Sequence, residues 1–590
     1  MSTEARTGRG KQAAPGPSFE ARRWRRALPG VAALLWLLAA GWGLGSYPLT
    51  EPDEGRNGTA AFEVATEGRW LLPTYDGLEL LDKPLLWFDA AALALRAFGV
   101  GELGVRLPSL LFTAATVLLV VGFARRLYGP AGGWVAGAAL GTSPLVLAFA
   151  RIAIFDPMLV FFMVAALVLF HEAVERGPGE EPRGLSRRWC AALAWLAMAL
   201  GVLTKGPVAV AVPLLVALPY ALWRRRGRAL WSGPGAAVFG TLVAGWGAFV
   251  ESRVPGYFEY VALTETWGRL TSSGPGSTDL GSSSGVRSLV PVLLGGSLPW
   301  SVVAAWAWLS GWRRRPSGSG GGGAPGPLAP SSVYLALWLV VPSLLFELAE
   351  PKRLQYVLPL VPAVALLLAA AAARARVTAG ALRAGAVALA LPGLALLAAG
   401  SGVWPVLGDL AGNLAPRARS GALVLGLLLL AAPAFAAGLA RRRPVMAGVA
   451  LALPGLLLPL VLYPVVAEIG RLRSSVDLAV AVEARCAEAP VVGIDVLPST
   501  LPFYLRRPIG MASETGRPFQ SHYVEVHWES IVAREGSDPR FTRSWWDGLP
   551  PRAVAVFGRR DQVKRVGAEL HGFAPLAANR LYEVWSRGCG

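Results

Sequence analysis

The sequence predicts an all-α polytopic membrane domain of about 13 transmembrane helices, followed by a C-terminal soluble α/β domain. Three observations lead there. Of the 590 residues, 54% are hydrophobic and only 16% charged, against about 25% charged in soluble chains. The apolar residues come in blocks of about 20, long enough to cross ~30 Å of hydrocarbon at 1.5 Å per residue. Arginines gather in short hinges between the blocks, where basic residues orient membrane helices. The net charge of +18 is therefore read as topology, not as a nucleic-acid surface.

Taken in order, residues 1–26 form a basic tail expected to be disordered and cytoplasmic. The first apolar run, in "RRWRRALPGVAALLWLLAAGWGLG", is too long for a cleavable signal and lacks a small-residue cleavage site, so it is expected to remain as a span. Apolar blocks then fall at roughly 27–47, 104–124, 131–150, 157–174, 189–203, 206–223, 230–250, 288–312, 331–348, 354–373, 384–400, 420–440 and 445–467. With a cytoplasmic N-terminus, Arg125 and Arg126, Arg187 and Arg188, Arg224 to Arg226, Arg313 to Arg315, Arg374 and Arg376, and Arg441 to Arg443 all lie in inner loops. The alternation never breaks. An odd number of spans places the chain from about residue 470 outside the cytoplasm.

The membrane domain thus covers 27–470 and carries two long outer loops, 48–103 and 251–287, both mixed in charge. "PSGSGGGGAPGPLAP" (316–330) reads as a flexible inner linker. Residues 471–590 change character. "APVVGIDV", "PRAVAVFG" and "LYEVWS" read as strands, and "RDQVKRVGAEL" as an amphipathic helix. This is the expected extracytoplasmic α/β domain. Three cysteines are too few for a disulfide framework or a zinc site. Cys486 and Cys589 share this last region, where one bridge and two free thiols are both open; Cys190 lies in an apolar run.

The outer loop opens with "EPDEGRNG", which crowds Glu51, Asp53, Glu54 and Arg56 at the end of the first span. Short amphipathic helices are expected over 56–67 and 85–98, the second after Pro84. They would frame Asp53 and Glu54 on one side and Lys83 on the other. A solvated boundary loop is the competing reading. A second acid, Asp156 in "ARIAIFDPMLV", is the lone carboxylate between two spans, and an N-cap before Pro157 is its bland role. Of 56 basic residues only five are lysine, and Lys83, Lys205 and Lys352 all fall at outer ends of spans. In so Arg-biased a chain this placement suggests compact ammonium groups meeting a phosphate, with snorkelling as the alternative. Arg269 and Arg353 could join the same cationic pocket. Carboxylates facing cations at headgroup depth suit transfer from a lipid-linked phosphate. Cations stabilise the departing charge, and a carboxylate takes the acceptor's proton or holds the acceptor.

These residues also carry a family pattern. The chain resembles the multi-spanning GT-C glycosyltransferases that use polyprenyl-phosphate sugars, closest to the 4-amino-4-deoxy-L-arabinose lipid A transferases and the related dolichyl-phosphate-mannose protein mannosyltransferases. The pattern runs through Asp53-Glu54-Gly55-Arg56, Glu63, Gly68-x-Trp70-x-x-Pro73, Asp82-Lys83-Pro84, "FDPML" with Asp156, and "LTKGPVA" with Lys205. It continues in "ETWGRL" with Arg269, "LPWS", "KRLQYVLPLVPAVAL" and "PSTLPFYLRRP". Departures are Asn57 for an aromatic, Asp82 for a glutamate, and Thr266 and Trp267 where a histidine is expected.

The resemblance implies an inverting sugar transfer from an undecaprenyl-type phosphate donor. Asp53 would be the base or acceptor-orienting acid, assisted by Asp156 and Glu54. Lys83 and Arg269 would hold the donor phosphate, supported by Arg56, Lys205, Lys352 and Arg353. The acceptor would be lipid A, another envelope glycan, or a protein hydroxyl, and the site would face outward from a bacterial inner membrane. No metal ligands are assigned and no cofactor is required, although a divalent metal stays open; membrane lipids are the remaining partner. A lipid-linked sugar transporter would instead place polar groups at the midplane of internal repeats, and no such repeat is visible. An envelope scaffold would leave the ordered acids and cations unexplained.

Overall fold

The computed structural model describes residues 19–176, 185–261, 287–313, 329–349, 352–403, 414–513, 515–535 and 548–589. Long apolar runs fold as helices because each peptide group is then satisfied within its own segment, which hydrocarbon requires. The first nine helices are α1 (Phe19–Ala40), α2 (Asp53–Glu67), α3 (Leu86–Phe98), α4 (Glu102–Gly141), α5 (Pro144–Phe149), α6 (Asp156–Glu175), α7 (Arg187–Lys205), α8 (Val208–Trp223) and α9 (Gly233–Arg253). Leu289–Gly296, Trp300–Arg313, Pro330–Glu347, Val361–Ala373, Ala379–Gly400, Leu414–Leu439 and Pro444–Leu472 follow.

Among the described residues, 8 helices are long and apolar enough to cross a bilayer singly, or 9 if Leu289–Gly296 and Trp300–Ser310, bent by 99°, form one span. The about 13 crossings expected from the apolar blocks are therefore not all separate long helices. Two blocks form the two halves of α4, which fold back on each other at Gly129 (φ 77°) before Pro130, so that a Cβ at Gly137 would meet the Val121 side chain at 2.7 Å; the proline supplies no donor there. The blocks at 27–47 and 206–223 yield the shorter apolar helices Pro29–Ala40 and Val208–Trp223. Leucines such as Leu35, Leu118, Leu391 and Leu427 are exposed, as lipid-facing side chains are, since lipid tails are as apolar as leucine itself.

α6 is the central column, packed against α4, α7 and α8. Its 20 residues separate its two ends by ~30 Å. At the C-terminal end Glu172 pairs with Arg126 and Arg176, and Glu175 with Arg224. At the N-terminal end Asp156 meets Lys205. The hinge arginines and the acid–lysine pair thus lie at opposite ends of one helix.

Residues 48–103 build α2, the two-residue hairpin strands β1 (Thr74–Tyr75) and β2 (Leu78–Glu79), and α3. α2 starts one turn earlier than its sequence pattern suggests, at Asp53. Near the C-terminus lies a five-stranded sheet of order β4-β3-β5-β7-β6. Its strands are β3 (Val491–Ile494), β4 (Gly510–Ala512), β5 (Ala553–Gly558), β6 (Ala574–Ala578) and β7 (Tyr582–Arg587), with Gln562–Leu570 helical. β3 runs parallel to β4 and β5, and β7 antiparallel to β5 and β6. The two edge strands had no sequence signal: β4 is three residues long, and β6 is largely exposed and contains Pro575, as edge strands tolerate. Cys486 and Cys589 are disulfide-bonded with Cα atoms 5.4 Å apart, while Cys190 is a buried thiol.

Candidate active site

The three acids of residues 51–54 go to three different places. Asp53, the first residue of α2, keeps a side chain 55% exposed and pairs with Arg56 at 3.2 Å. Arg56 also donates to the carbonyl of Gln520 at 2.6 Å. Glu54 turns inward and is buried. Its oxygens accept from Arg106 Nε and Nη2, both at 2.8 Å, from the Thr50 amide and hydroxyl at 3.0 Å, and from the Ala153 amide at 3.0 Å. Burial pushes its carboxyl up, but the Arg106 charge and these bonds outweigh it, so it lies below the usual range and stays ionised. Glu54, expected among the catalytic acids, therefore has both oxygens engaged by the protein. Glu51 turns the opposite way, toward Ser475, Thr500 and Tyr582.

Asp156 opens α6 and is 3% exposed. Its Oδ1 accepts from Lys205 Nζ at 2.6 Å, and its Oδ2 has no hydrogen-bond partner among the described residues. The expected N-cap role is not taken up: Phe155 occupies the cap position, and no side-chain cap bond forms. Two contacts fasten the outer loop to this acid. Asn57 Nδ2 donates to the Ala153 carbonyl at 2.9 Å, which joins α2 to the residues just before Asp156. Trp87 and Phe88 of α3 meet the Phe155 ring with centroids 5.0 and 5.2 Å away. The helix of Asp53 and the helix that follows Lys83 thus converge on Ala153–Asp156.

Lys83 Nζ donates to the carbonyl of Asp82 at 2.6 Å. The Asp82 carboxylate accepts from Tyr260 Oη at 3.1 Å and from the amides of His522 and Tyr523 at 3.2 and 2.9 Å. The acid-Lys-Pro piece and Arg56 therefore both lean on Gln520–Tyr523, a segment without a functional signal in the sequence. Lys352 is 8% exposed, just ahead of the 3-10 segment Leu354–Leu360 with Arg353 between. Val357 and Leu360 of that segment pack with Leu159 of α6 and Ala209 of α8. This brings Lys352, Asp156 and Lys205 to one end of the helix bundle. Arg269 and most of 251–287 lie outside the described residues. Pro157 also lines an apolar cleft with Val117, Phe149, Val160 and Leu358, so apolar space adjoins the buried acid.

Among the described residues, no group of three or more His, Cys, Asp or Glu could hold a metal. The arrangement offers instead one exposed carboxylate, one buried carboxylate with a spare oxygen, and several cations. Sequence reasoning missed Arg106, which is 0% exposed and lies over the Tyr47 ring at 3.8 Å. Its signal was an arginine inside an apolar block, which is expensive unless paired.

Compared with known proteins, residues 82–245 match the family model of dolichyl-phosphate-mannose-protein mannosyltransferases. The chain is 31% identical over 350 residues to an undecaprenyl phosphate-alpha-4-amino-4-deoxy-L-arabinose arabinosyl transferase of Aeromonas salmonicida, covering 59% of each protein. A protein of the same description from Pseudomonas aeruginosa is 32% identical over 332 residues, 55% of this chain and 56% of that one. The chain thus matches somewhat over half the length of these curated relatives. The crystal structure of ArnT from Cupriavidus metallidurans bound to undecaprenyl phosphate has the same fold, with TM-score 0.77 at 24% identity, covering 96% of this chain and 98% of that one. The resemblance carried by the ordered motifs holds, in sequence and in the helical membrane fold.

Proposed function

We propose that this chain is an inverting glycosyltransferase of the GT-C type. It moves a monosaccharide from an undecaprenyl-type polyprenyl phosphate to an acceptor outside the cytoplasm, lipid A or another envelope glycan. The observation that carries the reading is that α2, which opens with the exposed Asp53, and α3, which follows Lys83, both pack on Ala153–Asp156, where Asp156 pairs with Lys205 at one end of an apolar helix bundle. The sugar phosphate of the donor would meet Lys83, Arg56, Lys205 and Lys352 with Arg353, and Arg269 joins this set by its place in the motif. The polyprenyl tail would stay in apolar surroundings. As the anomeric C–O bond to phosphate breaks, the electron pair leaves with the phosphate oxygen, and these cations stabilise the added charge. The acceptor hydroxyl attacks from the opposite face, and Asp53 takes its proton. Asp156 orients the acceptor through its spare oxygen, and Glu54 acts by fixing α2.

With about 13 crossings, counting both halves of α4 and the bent pair as spans, and a cytoplasmic N-terminus, this end and residues 471–590 would lie on the extracytoplasmic face. The hinge arginines at the far end of α6 support that orientation, as do the charge alternation of the loops and an inner-membrane location. A protein hydroxyl as acceptor is the second reading, favoured by the mannosyltransferase match over residues 82–245.

The test is comparative mass spectrometry of lipid A, envelope glycans and envelope proteins from cells with the protein, without it, and with Asp53→Asn. One sugar is expected to be missing from one acceptor in the last two. Purified Asp53→Asn should transfer at least about 100-fold more slowly while folding normally, because Asp53 is exposed. Identical profiles in all three strains would overturn the reading.

A further inference from the structure

Glu51 is the one acid of "EPDE" without a part in the transfer, and its surroundings are unusual. It is 6% exposed, yet its described hydrogen-bond donors are all uncharged. Ser475 Oγ donates to Oε1 at 2.5 Å and Thr500 Oγ1 at 2.8 Å, while the Tyr582 hydroxyl donates to Oε2. Burial pushes the Glu51 carboxyl up despite these bonds. All three donors come from the C-terminal region, more than 400 residues away in sequence.

The backbone around Glu51 is held by the same region. The Glu51 amide donates to the Arg473 carbonyl at 2.8 Å. Ser499 Oγ donates to the Pro52 carbonyl at 2.9 Å, and Thr59 Oγ1 donates to the Ser499 carbonyl at 3.0 Å. Gly55 permits this approach: a Cβ there would meet the Ser499 carbonyl carbon at 2.7 Å. Asp53 therefore stands between two buried carboxylates. Glu54 ties its helix to the membrane helices through Arg106 and Ala153, and Glu51 ties it to the C-terminal sheet through Tyr582 of β7.

We propose that Glu51 is a positioning residue, through which Ser475, Thr500 and Tyr582 of the C-terminal region set the placement of Asp53. This rests on the transferase reading of Asp53. The C-terminal region is then part of the catalytic apparatus, because it sets where Asp53 stands. A misplacement of about 1 Å can cost about 100-fold in rate, so small losses of fit in this clamp reach the chemistry.

The experiment uses the full-length protein in detergent or nanodiscs, with Glu51→Gln, Tyr582→Phe, Thr500→Val and the double variant Glu51→Gln/Tyr582→Phe. Two quantities are read: transfer kinetics, and hydrogen exchange of the amides of residues 53–59. Tyr582→Phe removes one hydroxyl and should lower kcat about tenfold or more, with donor KM changed less than about twofold. Exchange should quicken at 53–59 and stay unchanged in Ala379–Gly400. The double variant should be no worse than Glu51→Gln alone, as expected when two residues share one interaction. Unchanged kcat in folded Tyr582→Phe and Thr500→Val would overturn the proposal, and so would additive losses in the double variant. Quickened exchange with wild-type rates would also overturn it, by leaving a clamp that is only structural. If the wild-type protein itself transfers no sugar, the transferase reading fails first, and the exchange data still show whether the C-terminal region holds α2.

Discussion

Arg106 has no escape to water: its side chain is 0% exposed, and that of its partner Glu54 only 4%. The guanidinium spends its remaining donors on the carbonyls of Leu44, Tyr47 and Pro48, so one residue ties the end of the first span to α2. A buried pair of this kind is a weak source of net stability, but losing one partner strands the other charge at a cost of about 3–5 kcal/mol. Glu54→Gln should therefore lower the melting temperature sharply, and adding Arg106→Met should restore part of it. If the double variant melts below Glu54→Gln, the ion pair is not the reason. Asp53, one residue earlier, has no such duty, which leaves it available for chemistry. The two carboxylates are chemically equivalent. Their surroundings differ because α2 turns Glu54 toward Arg106 and leaves Asp53 more than half exposed.

At the scale of single elements, the β1–β2 hairpin shows how a small unit can make stability depend on pH. Asp76, at its turn, donates its amide to Glu63 at 2.7 Å and accepts from the Ile509 amide at 2.7 Å. Burial pushes its carboxyl up to about 8. The folded protein thus keeps this proton to about pH 8, whereas the unfolded chain loses it near the free-aspartate value of about 4. Across that window the unfolded state binds fewer protons, so the contribution of Asp76 to stability falls as pH rises from about 4 to 8. Asp76→Asn should flatten that fall. Melting curves collected across the window test this, and wild type and variant sloping in parallel would remove Asp76 as the cause. Because the hairpin also seats Glu63 and touches the C-terminal region through Ile509, loosening it should disturb the docking of that region.

At the scale of the whole molecule, the C-terminal region is joined to itself by Cys486–Cys589 and to the loop of residues 48–103 by side chains such as Glu51 and Asp82. The bridge closes a loop of 103 residues, a length for which loop entropy contributes about 4.7 kcal/mol at most. Replacing both cysteines by serine should make residues 471–590 unfold at lower temperature and become protease-sensitive, with the membrane helices unaffected. Unchanged protease resistance would show that docking alone holds the region. Much of the plan was readable in advance. Hydrocarbon forces apolar blocks into helices, so the largely helical membrane fold follows from composition. Asp53, Asp156, Lys83 and Lys205 stood out because charge is scarce and costly in such a chain. The family pattern singled out Asp53, but what no local pattern could show were the partners of its neighbours Glu51 and Glu54. Those are Tyr582, Arg106 and Ala153, which only the folded chain brings beside them; burial and partners, not residue type, determine what a carboxylate does.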